Sequence, residues 1–173
     1  GWCLGILSRE FLRLYSALLR GNAPQLPPAA PYRQYIRWLE AQNRDAARAD
    51  WTRYLAGYSE QTGIPKFRAS EAAGYQAKNV TRELSRQMTA DLKTLAQTLG
   101  VTLNTVFQGV WGLLLSRYAR TTDVVFGIVV SGRPAELRGV EDMVGLFINT
   151  LPLRIAYPAE RAFADVLQAI QRD

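Results

Sequence analysis

Apolar residues recur three and four apart between Leu4 and Leu19, at Ile6, Leu7, Phe11, Leu14, Tyr15, Leu18 and Leu19. That spacing predicts an amphipathic helix ending at Gly21. The segment NAPQLPPAAP that follows holds four prolines in ten residues and predicts an extended linker. Tyr32 to Leu55 reads as helical, with Tyr35, Trp38 and Leu39 on one face, then Ala46, Trp51, Tyr54 and Leu55; Asn43 to Asp45 is where it can break in two. Gly57 to Tyr75 has no period and reads as loop, whereas Val80 to Leu84 alternates apolar and polar residues as a half-buried strand does. Ser85 or Thr89 is expected to cap a helix through Leu92, Leu95, Ala96 and Leu99, terminated by Gly100. Thr102 opens TLNTVFQGVWGLLLSRYAR, whose apolar residues cover most of the circumference, so this helix is expected to be buried between layers. Val124 to Val130 is a continuous, largely β-branched run and predicts a central strand; Leu151 to Ala156 predicts a second. Helices alternating with strands give an α/β layer fold.

Composition narrows the chemistry. The 173 residues fit one domain, and 21 basic residues against 15 acidic give a charge of +6. A nucleic-acid groove is disfavoured, because the basic residues are scattered singly among acids, and 18 of the 21 are arginine. The single cysteine, Cys3, leaves no internal disulfide and fits a reducing compartment. No histidine is present, which removes histidine-activated nucleophiles and most zinc constellations, so no metal is expected. No apolar run approaches the roughly 18 residues that span a membrane, and a cytoplasmic protein is expected. Gly1 is not an initiator methionine, and Asp173 falls inside an amphipathic segment. The chain is therefore expected to be a piece of a longer one, with the apolar faces of Leu4 to Leu19 and Phe163 to Ile170 incompletely covered.

Between Asp123 and Arg154 the sequence DVVFGIVVSGRPAELRGVEDMVGLFINTLPLR sets an apolar strand, a Ser-Gly-Arg turn and a Val-Gly-x-Phe-x-Asn-Thr element in one order. That order resembles the condensation domain of nonribosomal peptide synthetases. Gly1-Trp2-Cys3 resembles the Gly-Trp-Ser that ends the family's His-His-x-x-x-Asp motif, with Cys3 in place of Ser. Tyr32 to Trp38, YRQYIRW, resembles Tyr-x-Asp-(Phe/Tyr)-Ala-Val-Trp, with Gln34 in place of Asp and Arg37 in place of Val. The family's Gln-Asp-x-Pro-Phe and Arg-Asp-x-Ser elements are not found.

The resemblance implies a chloramphenicol-acetyltransferase-like, two-lobed α/β fold. Residues 1–75 would form the C-terminal part of the first lobe, with a Pro-rich linker at 21–31, and residues 76–173 an incomplete second lobe. It also implies an acyltransferase reaction, in which the amine of a carrier-bound aminoacyl group attacks a carrier-bound donor thioester. The substrates ride on the 4'-phosphopantetheine of donor and acceptor peptidyl carrier domains beside an adenylation domain; no cofactor is bound directly, and neither nucleic acid nor membrane is a partner. The catalytic histidines would precede Gly1, leaving this chain inactive alone.

The same resemblance suggests site residues, each with a plainer alternative. Gly1 and Trp2 would be the tail of the catalytic motif, although a Trp entering a helix usually belongs to a core. Asn149 would orient substrate or stabilise an oxyanion, or else close a turn by bonding its own backbone. Ser131 would bond a pantetheine arm or the reacting centre, or sit in an ordinary turn with a solvated Arg133. Gly145, Phe147 and Thr150 would border the substrate, or serve packing and strand geometry. Cys3 is read as a small apolar residue, since no base accompanies it. A heterocyclization domain is disfavoured at Gly145-Leu146-Phe147-Ile148, where Gly-Asp-Phe-Thr would be expected. A non-catalytic domain of this fold that recruits a partner enzyme, and an ester-forming acyltransferase, remain as alternatives.

Overall fold

The computed structural model describes residues 2–59, 62–64 and 77–173, and of Trp2 the backbone alone. The elements are α1 (Trp2–Leu19), α2 (Arg33–Glu40), α3 (Arg44–Tyr54), α4 (Arg86–Leu99), α5 (Leu103–Ala119), β1 (Asp123–Ser131), a 3₁₀ turn (Val140–Asp142), β2 (Ile148–Ala156) and α6 (Phe163–Arg172).

Polar side chains set the helix boundaries. The Ser85 hydroxyl accepts the Met88 N–H at 3.1 Å and starts α4, which Gly100 ends in a left-handed conformation at φ 66°. The Thr102 hydroxyl accepts the Thr105 N–H at 3.1 Å and starts α5. Asn43 splits the long helical stretch, because its carboxamide oxygen accepts the N–H groups of Asp45 at 3.1 Å and Ala46 at 3.0 Å. Each cap satisfies donors that the first helical turn leaves open.

The Gly132 N–H donates to the Phe147 carbonyl at 2.7 Å, and the Tyr157 N–H to the Thr122 carbonyl at 2.7 Å. These bonds bracket the two-stranded sheet and fix it as antiparallel, since residue numbers rise on one strand as they fall on the other. The same register explains Pro152. In this register the ladder-bonded positions are Thr122, Val124 and so on up to Gly132, opposite the odd-numbered residues from Tyr157 down to Phe147. Pro152 therefore faces the outer edge of β2, where its missing N–H costs the ladder nothing.

The chain divides into two compact units, residues 1–54 with 129–151 and residues 55–128 with 152–173. In the latter, Ala96 and Val101, Val106 and Leu115 of α5, Val124, Leu153 and Ile155 of the strands, and Val166, Leu167 and Ile170 of α6 form one core. Two glycines let α5 approach its neighbours. A Cβ on Gly109 would stand 2.4 Å from Leu167 Cδ2, and one on Gly112 would stand 2.5 Å from the Tyr157 hydroxyl. That hydroxyl donates to the Gly109 carbonyl at 2.6 Å. At the strand ends, Arg154 grips Asp123 through Nε at 3.0 Å to Oδ1 and Nη2 at 2.7 Å to Oδ2, and its Nη1 donates to the Ala56 carbonyl at 2.8 Å. In the other unit, Tyr35, Val140, Met143 and Phe147 form a smaller core joined by Tyr32 and Trp38.

Several expectations need correction. Val80 to Leu84 forms no strand: alternation makes a strand only where a neighbour supplies the ladder, and Val80 is 95% exposed. Helix α5 is covered on one face only, with Phe107, Val110, Trp111, Leu114 and Tyr118 exposed, because α4, α6 and the strands pack on the face marked by its two glycines. Among the described residues β1 has one strand neighbour, so it is not central there. Strand β2 begins at Ile148 rather than Leu151, which takes Asn149 and Thr150 into the sheet. The α1 face is exposed as expected, but α6 buries Val166, Leu167 and Ile170. Of the loop expected over 57–75, residues 57–59 and 62–64 carry no helix or strand and the rest lie outside the described residues.

Gly109→Ala should lower the melting temperature. Crowding a filled core costs about 1–3 kcal/mol, against roughly 1 kcal/mol that alanine gains over glycine in a helix. Leu167→Ala opens the space, so the Gly109→Ala penalty should shrink in that background; equal penalties would place the crowding elsewhere. Tyr157 gives a pH signature, because burial pushes its hydroxyl well above the usual phenol range. The folded state thus keeps a proton that the unfolded state releases near pH 10, about the reference value. Its stabilising effect is complete below that pH and declines above it. Melting curves of the wild type and Tyr157→Phe should converge as the pH rises past about 10; parallel curves would contradict this assignment.

Candidate functional site

Strand β1 ends at Ser131, and the next residue has no room for a side chain. A Cβ on Gly132 would lie 2.5 Å from the Phe147 carbonyl oxygen and 3.1 Å from the Tyr35 hydroxyl. Glycine there lets the Gly132 N–H reach that carbonyl at 2.7 Å and aims Arg133 inward. The Arg133 guanidinium then organises the following segment. Its Nη2 donates to the Met143 carbonyl at 2.9 Å, its Nη1 bonds the Val140 carbonyl, and its Cζ stands 3.9 Å over the Phe147 ring. A cation on the face of a ring and charge-assisted bonds to carbonyls are each worth more when water is excluded, and Phe147 is only 4% exposed.

Three further side chains complete the scaffold. The Tyr32 ring occupies the space beside Gly145, where a Cβ would come within 2.1 Å of it, and the Tyr32 hydroxyl donates to the Leu146 carbonyl at 2.6 Å. Tyr35 packs its ring 4.6 Å from that of Phe147, and burial raises its hydroxyl above the usual phenol range. Cys3 donates its S–H to the Gly145 carbonyl at 3.1 Å, with Arg133 Nη2 3.6 Å from the sulfur.

Beside this scaffold lies a cleft of about 380 Å³ lined by Cys3, Val129 to Ser131, Arg133 and Gly145 to Ile148. Of the residues singled out from sequence, Ser131, Gly145 and Phe147 border it, while Asn149 and Thr150 do not. The sheet register separates the polar candidates further. Ser131 lies opposite Ile148 and Val129 opposite Thr150, so these four share one face, whereas Asn149 shares the other with Val130. Asn149 is exposed; its Oδ1 accepts the Thr150 N–H at 2.8 Å, and its Nδ2 donors are unused among the described residues. Ser131 is also exposed and borders the cleft, whose lining is largely apolar. Gly1 lies outside the described residues, as does the Trp2 side chain.

Arg133 is not the solvated turn residue of the plainer sequence reading. Its paired glycine signals, Gly132 beside it and Gly145 two residues before an aromatic, mark close backbone approaches that a cation can bridge, but nothing in local sequence names the bridging residue. Tyr32 and Tyr35 were visible only as an aromatic skeleton. Cys3, read from the sequence as a small apolar residue, sits instead in a hydrogen-bonded position against the Gly145 backbone.

The family model for the condensation domain matches residues 1–173. The chain is 47% identical over 174 aligned residues to bacitracin synthase 3 of Bacillus licheniformis, covering all of this chain and 3% of that protein. Among solved structures it is similar to the first condensation domain of the CDA synthetase, at 25% identity and a TM-score of 0.72, covering 99% of this chain and 38% of that one. It is also similar to the X-domain from teicoplanin biosynthesis in its complex with OxyB, at 26% identity and a TM-score of 0.77, covering 99% and 40%. The α/β fold expected from the sequence is thus that of condensation-domain structures, and the chain belongs to the condensation-domain family.

Proposed function

We propose that this chain is part of a nonribosomal peptide synthetase condensation domain that forms an amide between a carrier-bound donor acyl thioester and the amine of a carrier-bound aminoacyl acceptor. The observation that supports this best is the family match over the whole chain, with Ser131, Arg133 and Gly145 to Ile148 of the two motif elements at one cleft. The chain spans 3% of the bacitracin synthase relative, so carrier and adenylation domains enter as partners of this reading. Residues 1–75 would close the first lobe and residues 76–173 open the second. A cytoplasmic setting belongs to the same reading.

The chemistry asks little of an acid or base. An α-amine has a reference pKa of about 7.7 to 8.0, so a usable fraction is neutral near pH 7. Its nitrogen attacks the thioester carbonyl, the C–N bond forms, the oxyanion collapses, and the C–S bond breaks with its electron pair on sulfur. The proton lost by nitrogen ends on the released thiol. In this sequence, which contains no histidine, the unused Nδ2 donors of Asn149 suit an oxyanion or a substrate carbonyl. The Ser131 hydroxyl suits an amide of the phosphopantetheine arm. Gly145 and Phe147 hold the scaffold, and Thr150 supplies strand geometry. The proton-handling histidines would come from a His-His-x-x-x-Asp motif before Gly1, whose tail would be Gly1 and Trp2.

The likeness to the X-domain favours a second reading, a non-catalytic domain that recruits another enzyme. An intact His-His-x-x-x-Asp immediately upstream of Gly1 in the gene supports the catalytic reading, and its loss supports the other.

Two outcomes follow from the catalytic reading. The purified 173-residue chain, given loaded donor and acceptor carriers, should form no dipeptide above the enzyme-free background; amide formation would contradict the assignment of the proton-handling step. In the longer synthetase, Asn149→Ala should lower single-turnover amide formation by about one to three orders of magnitude, the range for one positioned donor, with little change in melting temperature. A normal rate with about 1 kcal/mol of lost stability would instead assign Asn149 to a backbone-bonding role.

A further inference from the structure

Tyr32 does not line the cleft, yet it makes three contacts with the segment that does. Its hydroxyl donates to the Leu146 carbonyl at 2.6 Å. Its ring lies against Gly145, where three ring carbons would stand within 2.7 Å of an added Cβ. Its edge meets the Phe147 ring at 5.2 Å between centroids, near perpendicular at 89°. From these contacts, and resting on the functional reading above, we propose that Tyr32 is a positioning residue for amide formation. It sets the backbone of Gly145 to Phe147 and so the direction in which β2 presents Asn149.

In an extended chain successive carbonyls point to opposite sides. The Phe147 carbonyl is fixed on one side by the Gly132 N–H at 2.7 Å, and the Leu146 carbonyl is fixed by Tyr32. Holding both adjacent carbonyls orients the peptide unit between them. Asn149 follows two residues later, as the second residue of β2, so a rotation at that peptide is carried toward its carboxamide. On the other side Cys3 holds Gly145, its sulfur donating to the Gly145 carbonyl at 3.1 Å and accepting the Gly145 N–H at 3.5 Å, which leaves the Leu146 carbonyl to Tyr32. Phe147 itself is anchored by Arg133 and Tyr35, so losing the Tyr32 hydroxyl leaves the small core filled.

This separates positioning from stability. The Tyr32 hydroxyl and Leu146 carbonyl meet at an exposed place, so water can bond that carbonyl when the hydroxyl is removed. Folding then loses little, but water does not hold the carbonyl at one point. A misplacement of about 1 Å at a reacting group can cost up to about 100-fold in rate.

The test uses the synthetase module that carries this chain, with loaded donor and acceptor carriers, and measures single-turnover amide formation beside melting temperature. Tyr32→Phe keeps the ring against Gly145 and Phe147 and removes only the hydroxyl. We expect a loss of about tenfold in the maximal rate, an unchanged half-saturating concentration of acceptor carrier, and a melting temperature within about two degrees of wild type. In the Asn149→Ala background, Tyr32→Phe should cause little further loss, because its effect passes through Asn149. An unchanged rate for Tyr32→Phe overturns the proposal, as does a rate loss that multiplies fully with that of Asn149→Ala. A loss that only follows the folded fraction also overturns it and leaves Tyr32 a packing residue. Failure of the wild-type module to form an amide is a different result: it removes the functional reading itself, and this inference with it.

Discussion

The Arg133 guanidinium is the charge around which the smaller core is built. A cation taken from water needs replacement partners, and here the Val140 and Met143 carbonyls and the Phe147 ring supply them. Those partners come from a 3₁₀ turn, the residue that follows it and the residue just before β2, so one side chain ties three nearby pieces of backbone together. Each bond to a charged group is worth about 1.5–3 kcal/mol, more than an ordinary neutral pair. Lysine at this position would offer a point charge without the planar fork that reaches two carbonyls while lying flat on a ring.

Most of the fold was legible because it depends on local rules. Ser85, Thr102 and Asn43 cap helices where their side-chain oxygens meet open N–H groups, and Gly100 ends α4 because it adopts a left-handed turn at low cost. The misreadings concern contacts between distant residues. The alternation in Val80 to Leu84 fits a strand, but alternation describes which side chains want burial and not whether a ladder partner is present. An all-round apolar helix was expected at α5, yet Gly109 and Gly112 mark its covered face more faithfully than its large residues do. Small residues marked the face because the packing distance, and not the hydrophobic sum, decides which side a neighbouring helix can approach.

The candidate site was legible in its members more than in their arrangement. The Ser131-Gly132-Arg133 and Val144-to-Thr150 elements were found as motifs, and the structure brings Ser131, Gly145 and Phe147 to one cleft. Which face each side chain takes depended on where β2 begins. With a start at Leu151, Asn149 and Thr150 would be turn residues free to point together; with a start at Ile148, the two-residue period sends them to opposite faces. The role of Arg133 was hidden for a similar reason, since its partners are backbone carbonyls, and a carbonyl leaves no mark in a sequence.

Between Met143 and Ile148 anchored and exposed residues alternate along one short segment. Met143 and Phe147 are buried and fixed, Gly145 gives its space to the Tyr32 ring, and Leu146, Ile148, Asn149 and Thr150 remain exposed. Anchors and presented groups are thus never more than a few residues apart. Positional precision decays along a flexible chain, so a carboxamide two residues from a ring clamped between an arginine and two tyrosines is held far more closely than one on a free loop. The amide formation proposed above needs orientation more than it needs a strong base. The segment from Met143 to Thr150, with three anchored residues among its eight, suits such a reaction, and its motif is glycine, aromatic and amide in order and not a cluster of ionisable groups.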